Sequence, residues 1–242
     1  MKPNENTERL HDMTQLIKRM SAFLLCLMLL MGAFPATALA APDWPSGVSV
    51  QAESGIVIDA DTGTVLWGQN IHNQYFPASI TKIMTALIVI ETCSLDETVT
   101  FSHNAVFNVE AGSSNAGINE GDKLSVKDCL YALLLKSANE AANALAEHVA
   151  GSTEAFADMM NAKAKELGCT DTHFANPSGL NDPEHYTSTY DMALIARAAF
   201  LNPTFEEIDS TAYYKLPPNS INPEGLTIYP GHKMLKKSTP YY

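Results

Sequence analysis

The chain has 242 residues, enough for one large domain or two small ones, and its 46% hydrophobic content is that of a globular protein with a sizeable core. Fifteen basic residues against 27 acidic ones give a formal net charge of −12. That balance argues against nucleic acid as a partner, because nucleic acid demands clustered Lys and Arg, and any anionic ligand would need a local cationic pocket.

At the N-terminus, Lys18-Arg19 lead into an apolar stretch over residues 20–34, broken by Ser21 and Gly32 and followed by Pro35-Ala36-Thr37-Ala38-Leu39-Ala40. A basic start, a hydrophobic centre and a small-x-small end form the pattern of a secretory signal peptide, with cleavage expected after Ala40. The apolar run is short for a membrane-spanning helix, which disfavours an uncleaved anchor. The expected division is therefore residues 1–40 as signal and 41–242 as the exported domain, outside the cytoplasm. Removing residues 1–40 leaves 11 basic and 24 acidic residues, a net charge of −13.

Cys26 lies in the signal, so Cys93, Cys129 and Cys169 remain. An odd number at wide spacing is neither a disulfide framework nor a Cys-x-x-Cys metal site. Cys129 sits in an apolar helical run and reads as a small buried hydrophobe, while a single Cys93–Cys169 bridge stays open.

After an irregular lead-in over residues 43–51, two β-rich runs at residues 55–60 and 64–67 flank Asp61-Thr62-Gly63 and predict a hairpin. A lone hairpin is marginal in water, and the next helix is the nearest cover for it. That helix begins in Phe76-Pro77-Ala78-Ser79-Ile80-Thr81-Lys82 and continues through Ile83, Met84, Ala86, Leu87, Ile88, Val89 and Ile90. Pro77 suits a helix entry, and the apolar run is too long for an exposed strand, so a buried helix is predicted to start near Ser79.

On that helix Ser79 and Lys82 are one turn apart on the same face. Ser79 lies in the first turn, where free N–H groups and the helix dipole favour negative charge developing on oxygen. A hydroxyl beside an amine is the arrangement of an activated serine nucleophile with its base. The amine serves as base at neutral pH only if its pKa falls well below about 10.4, through burial against Ile83 and Leu87 or through a second cation. Ser-x-x-Lys arises about once by chance at this length, and a serine N-cap beside a solvated lysine is the commoner explanation, so the context decides.

Residues 94–127 are polar and punctuated by glycine, a connecting region with one short strand at Thr98-Val99-Thr100-Phe101. Ser125 and Asp128 form a capping box at the start of a helix through Cys129, Leu130, Leu133, Leu134 and Leu135, which stops at Lys136-Ser137-Ala138-Asn139. Helices are predicted over residues 140–150, 152–167 and 188–201, with a loop over residues 173–181. The last forty residues are Pro- and Asn-rich with short β-like pieces such as Leu226-Thr227-Ile228-Tyr229, and Lys233, Lys236 and Lys237 read as a solvated basic loop.

Ser137-Ala138-Asn139 presents a hydroxyl and an amide at a helix junction, where a cleft wall would set them beside Ser79. Taken together, Pro77-Ala78-Ser79-Ile80-Thr81-Lys82, Ser137-Ala138-Asn139, His173-Phe174 with Gly179-Leu180, and Tyr190-Asp191-Met192-Ala193-Leu194 resemble the serine D-alanyl-D-alanine carboxypeptidases, the low-molecular-mass penicillin-binding proteins. The resemblance covers residues 50–242. It implies an α+β fold of the β-lactamase and transpeptidase kind, with an antiparallel sheet beside a helical lobe and the site between them. It further implies Ser79 as the acylated nucleophile, Lys82 as general base, Ser137 as a proton relay to the leaving amine and Asn139 as a ligand for the substrate backbone. The implied partners are peptidoglycan stem peptides ending in D-Ala-D-Ala, and β-lactams, which acylate the same serine.

The family's third motif, Lys-Thr-Gly on an edge strand, has no match: Lys233-Met234-Leu235 and Lys237-Ser238-Thr239 lack the glycine. The resemblance then implies a catalytic domain that stops before its last central strands. Such a chain is expected to be inactive or poorly folded alone, with any membrane association residing in a further C-terminal segment. A class A β-lactamase fits less well, because no Glu-x-x-Leu-Asn stretch is present. A non-catalytic wall-binding domain is the other alternative. The seven histidines show no His-Glu-x-x-His spacing, so no catalytic metal or cofactor is expected.

Overall fold

The computed structural model describes residues 18–21 and 50–231. The expected signal peptide lies outside the described residues apart from one helical turn at 18–21, as do the lead-in up to residue 49 and the basic loop at Lys233, Lys236 and Lys237. The described residues from 50 onward belong to one compact unit, Ser49–Tyr242. Among the described residues no helix is long and apolar enough to cross a membrane.

Strands β1 (Gly55–Ile58) and β2 (Val65–Gln69) pair antiparallel as the predicted hairpin. Its turn is built by Asp59, whose Oδ1 accepts from the Thr62 N–H (2.7 Å) and hydroxyl (2.6 Å), and by Gly63, whose φ of +75° suits glycine. These bonds to Thr62 hold the Asp59 carboxyl below the usual range. The chain continues through β3 (Gln74–Tyr75), the 3-10 turn Ala78–Thr81, α1 (Lys82–Thr92), β4 (Thr98–Thr100), α2 (His103–Phe107) and β5 (Lys123–Ser125). Then come α3 (Val126–Lys136), α4 (Asn139–Ala150), α5 (Thr153–Glu166), β6 (Thr187–Ser188), α6 (Thr189–Phe200), α7 (Pro203–Asp209), β7 (Tyr214–Leu216) and β8 (Leu226–Ile228). Among the described residues the strands form four separate antiparallel pairs: β1–β2, β3–β6, β4–β5 and β7–β8.

The helical lobe is wound around α4. Residues 139–146 are all buried, and alanine at 141, 142, 144 and 146 lets α1, α2, α3 and α5 approach its axis closely. A helix buried on every face belongs in a core. α1 is nearly as enclosed, with Met84, Ala86, Leu87, Ile88 and Val89 at 3% exposure or less. It packs against α3, α4, α5, α6 and α7, and this enclosure corrects the expectation that it would cover the hairpin. That role falls to α6, which packs on β1 and whose Arg197 donates from Nε to the Ala60 carbonyl (2.7 Å) and from Nη2 to the Asp61 carbonyl (2.6 Å).

Ser125 and Asp128 form the expected capping box at α3. Asp128 has a second use: its Oδ1 accepts from the Tyr214 hydroxyl at 2.8 Å, while Tyr214 stacks on Tyr131 with ring centroids 3.7 Å apart. The β7–β8 hairpin is thereby fixed on α3. Cys129 is fully buried as expected, and all three described cysteines are free, so the bridge left open between Cys93 and Cys169 is not formed.

Leu145 sits at the middle of the central helix with no exposed surface. Leu145→Ala is expected to lower unfolding free energy by about 2–5 kcal/mol in a urea titration, because the surrounding helices cannot collapse onto the cavity.

Candidate active site

Ser79 lies on the 3-10 turn ahead of α1, where the sequence reading has the buried helix itself beginning. The difference helps the chemistry. With three residues per turn, positions i and i+3 eclipse, so Ser79 and Lys82 project from one line along the helix. Ser79 is exposed and Lys82 is buried at 2% exposure. The turn is entered through Ala78 at φ +50°, a left-handed conformation that costs a non-glycine residue about 1–2 kcal/mol.

Two acceptors hold the Lys82 amine. Nζ donates to Asn139 Oδ1 at 2.7 Å and to the Ser178 carbonyl at 2.6 Å. With Nζ donating, the Asn139 amide presents its oxygen to the lysine. Burial lowers the Lys82 pKa from 10.5 to about 8, and the Glu140 carboxyl opposes that shift. Of the two sources allowed by the sequence, desolvation is therefore the operative one. In the neutral amine both N–H bonds are taken by these acceptors, which leaves the lone pair as the free direction.

Ser137 closes α3 in the left-handed region at φ +57°, a position where glycine is usual. Its Oγ is buried and, among the described residues, has no hydrogen-bond partner. Asn139 opens α4, and its backbone N–H donates to the Ser114 carbonyl at 3.0 Å. Next to it, buried Glu140 accepts the Ala116 N–H at 2.7 Å, so α4 carries the segment around residues 114–116 as a second wall. Burial raises the Glu140 carboxyl above the usual range. Ser79, Lys82, Ser137, Ser114, Leu134 and Tyr229 face one cleft of about 480 Å³. Three of the four predicted residues thus line it, and the fourth, Asn139, is bonded to the lysine.

The loop after α5 is the third support. Asn176 Oδ1 accepts from the Ser178 N–H, the Ser178 hydroxyl and the Gly179 N–H, which folds the loop tightly enough to press the Ser178 carbonyl onto Lys82. Thr85 Oγ1 donates to the Pro177 carbonyl at 2.7 Å. His185 accepts the Ala175 N–H at Nδ1, so its Nε2 carries the proton and donates to Thr81 Oγ1 at 2.8 Å. Burial brings the His185 pKa down to about 4, which keeps the ring neutral. Gly179 has φ +82°, and a Cβ there would stand 1.9 Å from the Ala78 carbonyl oxygen. The sequence reading singled out Gly179-Leu180 without a role; the Ser178 carbonyl, His185 and Glu140 it did not assign at all.

A serine and a buried lysine beside a second serine, on a helical lobe with antiparallel strands, place the chain among penicillin-binding proteins in fold. Penicillin binding protein 6B from Escherichia coli matches with a TM-score of 0.74 and 32% identity, covering 83% of this chain and 64% of that one. A variant of the Streptomyces K15 DD-transpeptidase matches with a TM-score of 0.73 and 29% identity, over 80% of this chain and 79% of that one. The Peptidase S11 family, D-alanyl-D-alanine carboxypeptidase, matches residues 37–229, and the chain belongs to that family. D-alanyl-D-alanine carboxypeptidase DacF of Bacillus subtilis is 38% identical over 185 residues, 74% of this chain and 46% of the relative. DacD of Escherichia coli is 38% identical over 165 residues, 65% and 42% respectively. The chain spans about half the length of these curated relatives.

Gly179→Ala is expected to displace the Ala78–Ser79 turn, costing at least about 1–3 kcal/mol of stability and slowing acylation of Ser79 by on the order of 10²-fold. Ser178→Ala keeps the carbonyl that Lys82 uses and is expected to stay within a few-fold of wild type. Penicillin-labelling rates and urea titrations on both variants check the pair.

Proposed function

We propose that the chain carries the acylating centre of an exported serine D-Ala-D-Ala carboxypeptidase that trims peptidoglycan stem peptides and is acylated by penicillins. The observation that carries this reading is the buried Lys82 amine, fixed by Asn139 and the Ser178 carbonyl in the cleft that also holds Ser79 and Ser137. Ser79 Oγ attacks the penultimate D-Ala carbonyl while the Lys82 lone pair takes its proton. The Ser79 backbone N–H stabilises the resulting oxyanion. Collapse breaks the peptide bond, and Ser137 passes a proton to the departing D-alanine nitrogen. Water then hydrolyses the ester and regenerates Ser79. Asn139, which holds the Lys82 amine through Oδ1, is the ligand for the substrate backbone in this reading. Export is supported by the basic, apolar and small-residue pattern of residues 1–40, and a peptidoglycan substrate puts the exported chain at the cell wall or the outer face of the cytoplasmic membrane.

Incubation with a fluorescent penicillin, followed by intact-mass spectrometry and peptide mapping, tests the nucleophile. One covalent equivalent on the Ser79 peptide is expected from the assembled cleft, against the inactivity that the unmatched Lys-Thr-Gly motif implies, and Ser79→Ala should abolish it. An adduct on another residue, or one that survives Ser79→Ala, overturns the assignment; a folded chain that takes no label favours the wall-binding alternative.

The base has its own signature. With Lys82 titrating at about 8, the acylation rate should climb roughly tenfold per pH unit below that point and level off above it, because only the neutral amine accepts the serine proton. Lys82→Met should lower the rate by about 10²–10⁴-fold and flatten the profile. A rate that falls as the pH rises from 6 to 8 would contradict this role.

A further inference from the structure

The two helices that present Lys82 and Asn139 at their N-terminal ends come together again at their C-terminal ends. Cys93 caps α1, Glu97 follows in the turn before β4, and His148 lies in the last turn of α4. One ligand atom from each, the Cys93 sulfur, a Glu97 carboxylate oxygen and a His148 ring nitrogen, all lie within 4.8 Å of one another. We propose that Cys93, Glu97 and His148 form a binding site for a divalent cation of the zinc class, joining the far ends of α1 and α4.

The donor set suits that cation. A thiolate, an imidazole and a carboxylate are the three side-chain ligands of zinc, whereas magnesium and calcium prefer oxygen alone. Bond lengths of about 2.0–2.3 Å in a tetrahedral site require ligand atoms roughly 3.5 Å apart. His148 Nε2 and Glu97 Oε2 stand at 3.0 Å, so that edge opens slightly on binding, and the sulfur lies within 4.8 Å of both.

The frame around the three residues is rigid enough to hold such a site. The Cys93 N–H donates to the Val89 carbonyl at 2.9 Å. Glu97 Oε1 accepts the Ser94 N–H at 2.6 Å, which orients the carboxylate and leaves Oε2 toward His148. The Leu95 and Glu97 carbonyls accept the N–H groups of Lys127 and Val126, both at 2.9 Å, so the turn is clamped to the start of α3. Glu97 is held ionised by the Ser94 and His148 bonds. The Cys93 thiol is pushed up by burial first and then by the negative Glu97, so it stays protonated without a cation. Binding would convert that thiol to a thiolate and release one proton to solvent, with no change of oxidation state.

Cys93 is eleven residues beyond Lys82, about 16 Å along α1, so the site can be probed without touching Ser79, Lys82, Ser137 or Asn139. The untagged, reduced, metal-stripped chain would be titrated with Co(II) and the near-ultraviolet thiolate-to-cobalt charge-transfer band followed, then displaced with Zn(II). One equivalent with a sulfur-to-cobalt band is expected. Cys93→Ser should remove the band, and His148→Ala should weaken cobalt binding by more than the roughly 10–100-fold seen when an outer-shell partner is lost. Zinc should raise the melting temperature of the wild type but of neither variant. No sulfur-to-cobalt band in the wild type, or an unchanged titration in both variants, overturns the proposal. Far-ultraviolet circular dichroism establishes that each variant is folded before its titration is read.

Discussion

Burial of one amine organises the part of this molecule that forms the cleft. Lys82 is the first residue of α1, Asn139 the first of α4, and Ser178 the centre of the loop after α5, and all three meet at Lys82 Nζ. A buried ammonium is costly, and lowering its pKa from 10.5 to about 8 corresponds to roughly 3 kcal/mol. The unfolded chain holds the proton up to about 10.5, whereas the folded chain releases it near 8. This group therefore destabilises the fold fully below about pH 8, and the penalty is relieved as the pH rises from 8 to 10.5. The fold bears that penalty because the core around α4 is large, and what it gains is an amine that is partly neutral at physiological pH.

A constraint of this kind needs its acceptors to stand still. Asn139 is held because α4 is enclosed along residues 139–146, and the alanines there permit close approach that leucines would prevent. The Ser178 carbonyl is held from two sides: Asn176 folds the loop from within, and Thr81, Thr85 and Gly179 fasten it to the helix below. Gly179 approaches the Ala78 carbonyl closely where a Cβ would clash with it, so the loop packs on the turn that carries Ser79 because residue 179 is glycine.

Much of this was legible in the sequence, for identifiable reasons. The apolar run after Ser79, the Ser125–Asp128 capping box and the Asp61-Thr62-Gly63 turn are local signals, and each produced the element expected. Ser79, Lys82, Ser137 and Asn139 stand in two short motifs, and the structure sets three of them on one cleft and bonds the fourth, Asn139, to Lys82. What stayed hidden depends on chain folding across long separations. The Ser178 carbonyl is a backbone atom 96 positions from Lys82 and has no side-chain signature. Glu140 looks like an ordinary first-turn acid until the 114–116 segment is seen to close over it. The cover of the β1–β2 hairpin was misassigned to α1 because proximity in sequence was taken for proximity in space, while the actual partner, α6, lies more than a hundred residues on. Cys93, Glu97 and His148 likewise show no ligand spacing, since they come from the C-terminal cap of α1, the turn before β4 and the last turn of α4.

The strained residues complete the physical picture. Among the described residues three non-glycine positions have positive φ: Asn70, Ala78 and Ser137. Two of the three sit immediately at the cleft, Ala78 before Ser79 and Ser137 itself. With left-handed backbone at the end of α3, Ser137 lines the cleft together with Ser79 and Lys82. Left-handed backbone at Ala78 and Ser137 and a desolvated amine at Lys82 thus meet around one cleft. Each would relax if its surroundings were soft. Each is instead over-determined, by Gly179 against Ala78, by the α3–α4 junction around Ser137, and by two acceptors on Lys82. The enclosure of α4 and the Asn176-folded loop are therefore what hold Lys82, Asn139 and the turn at Ala78–Ser79 in place around this cleft.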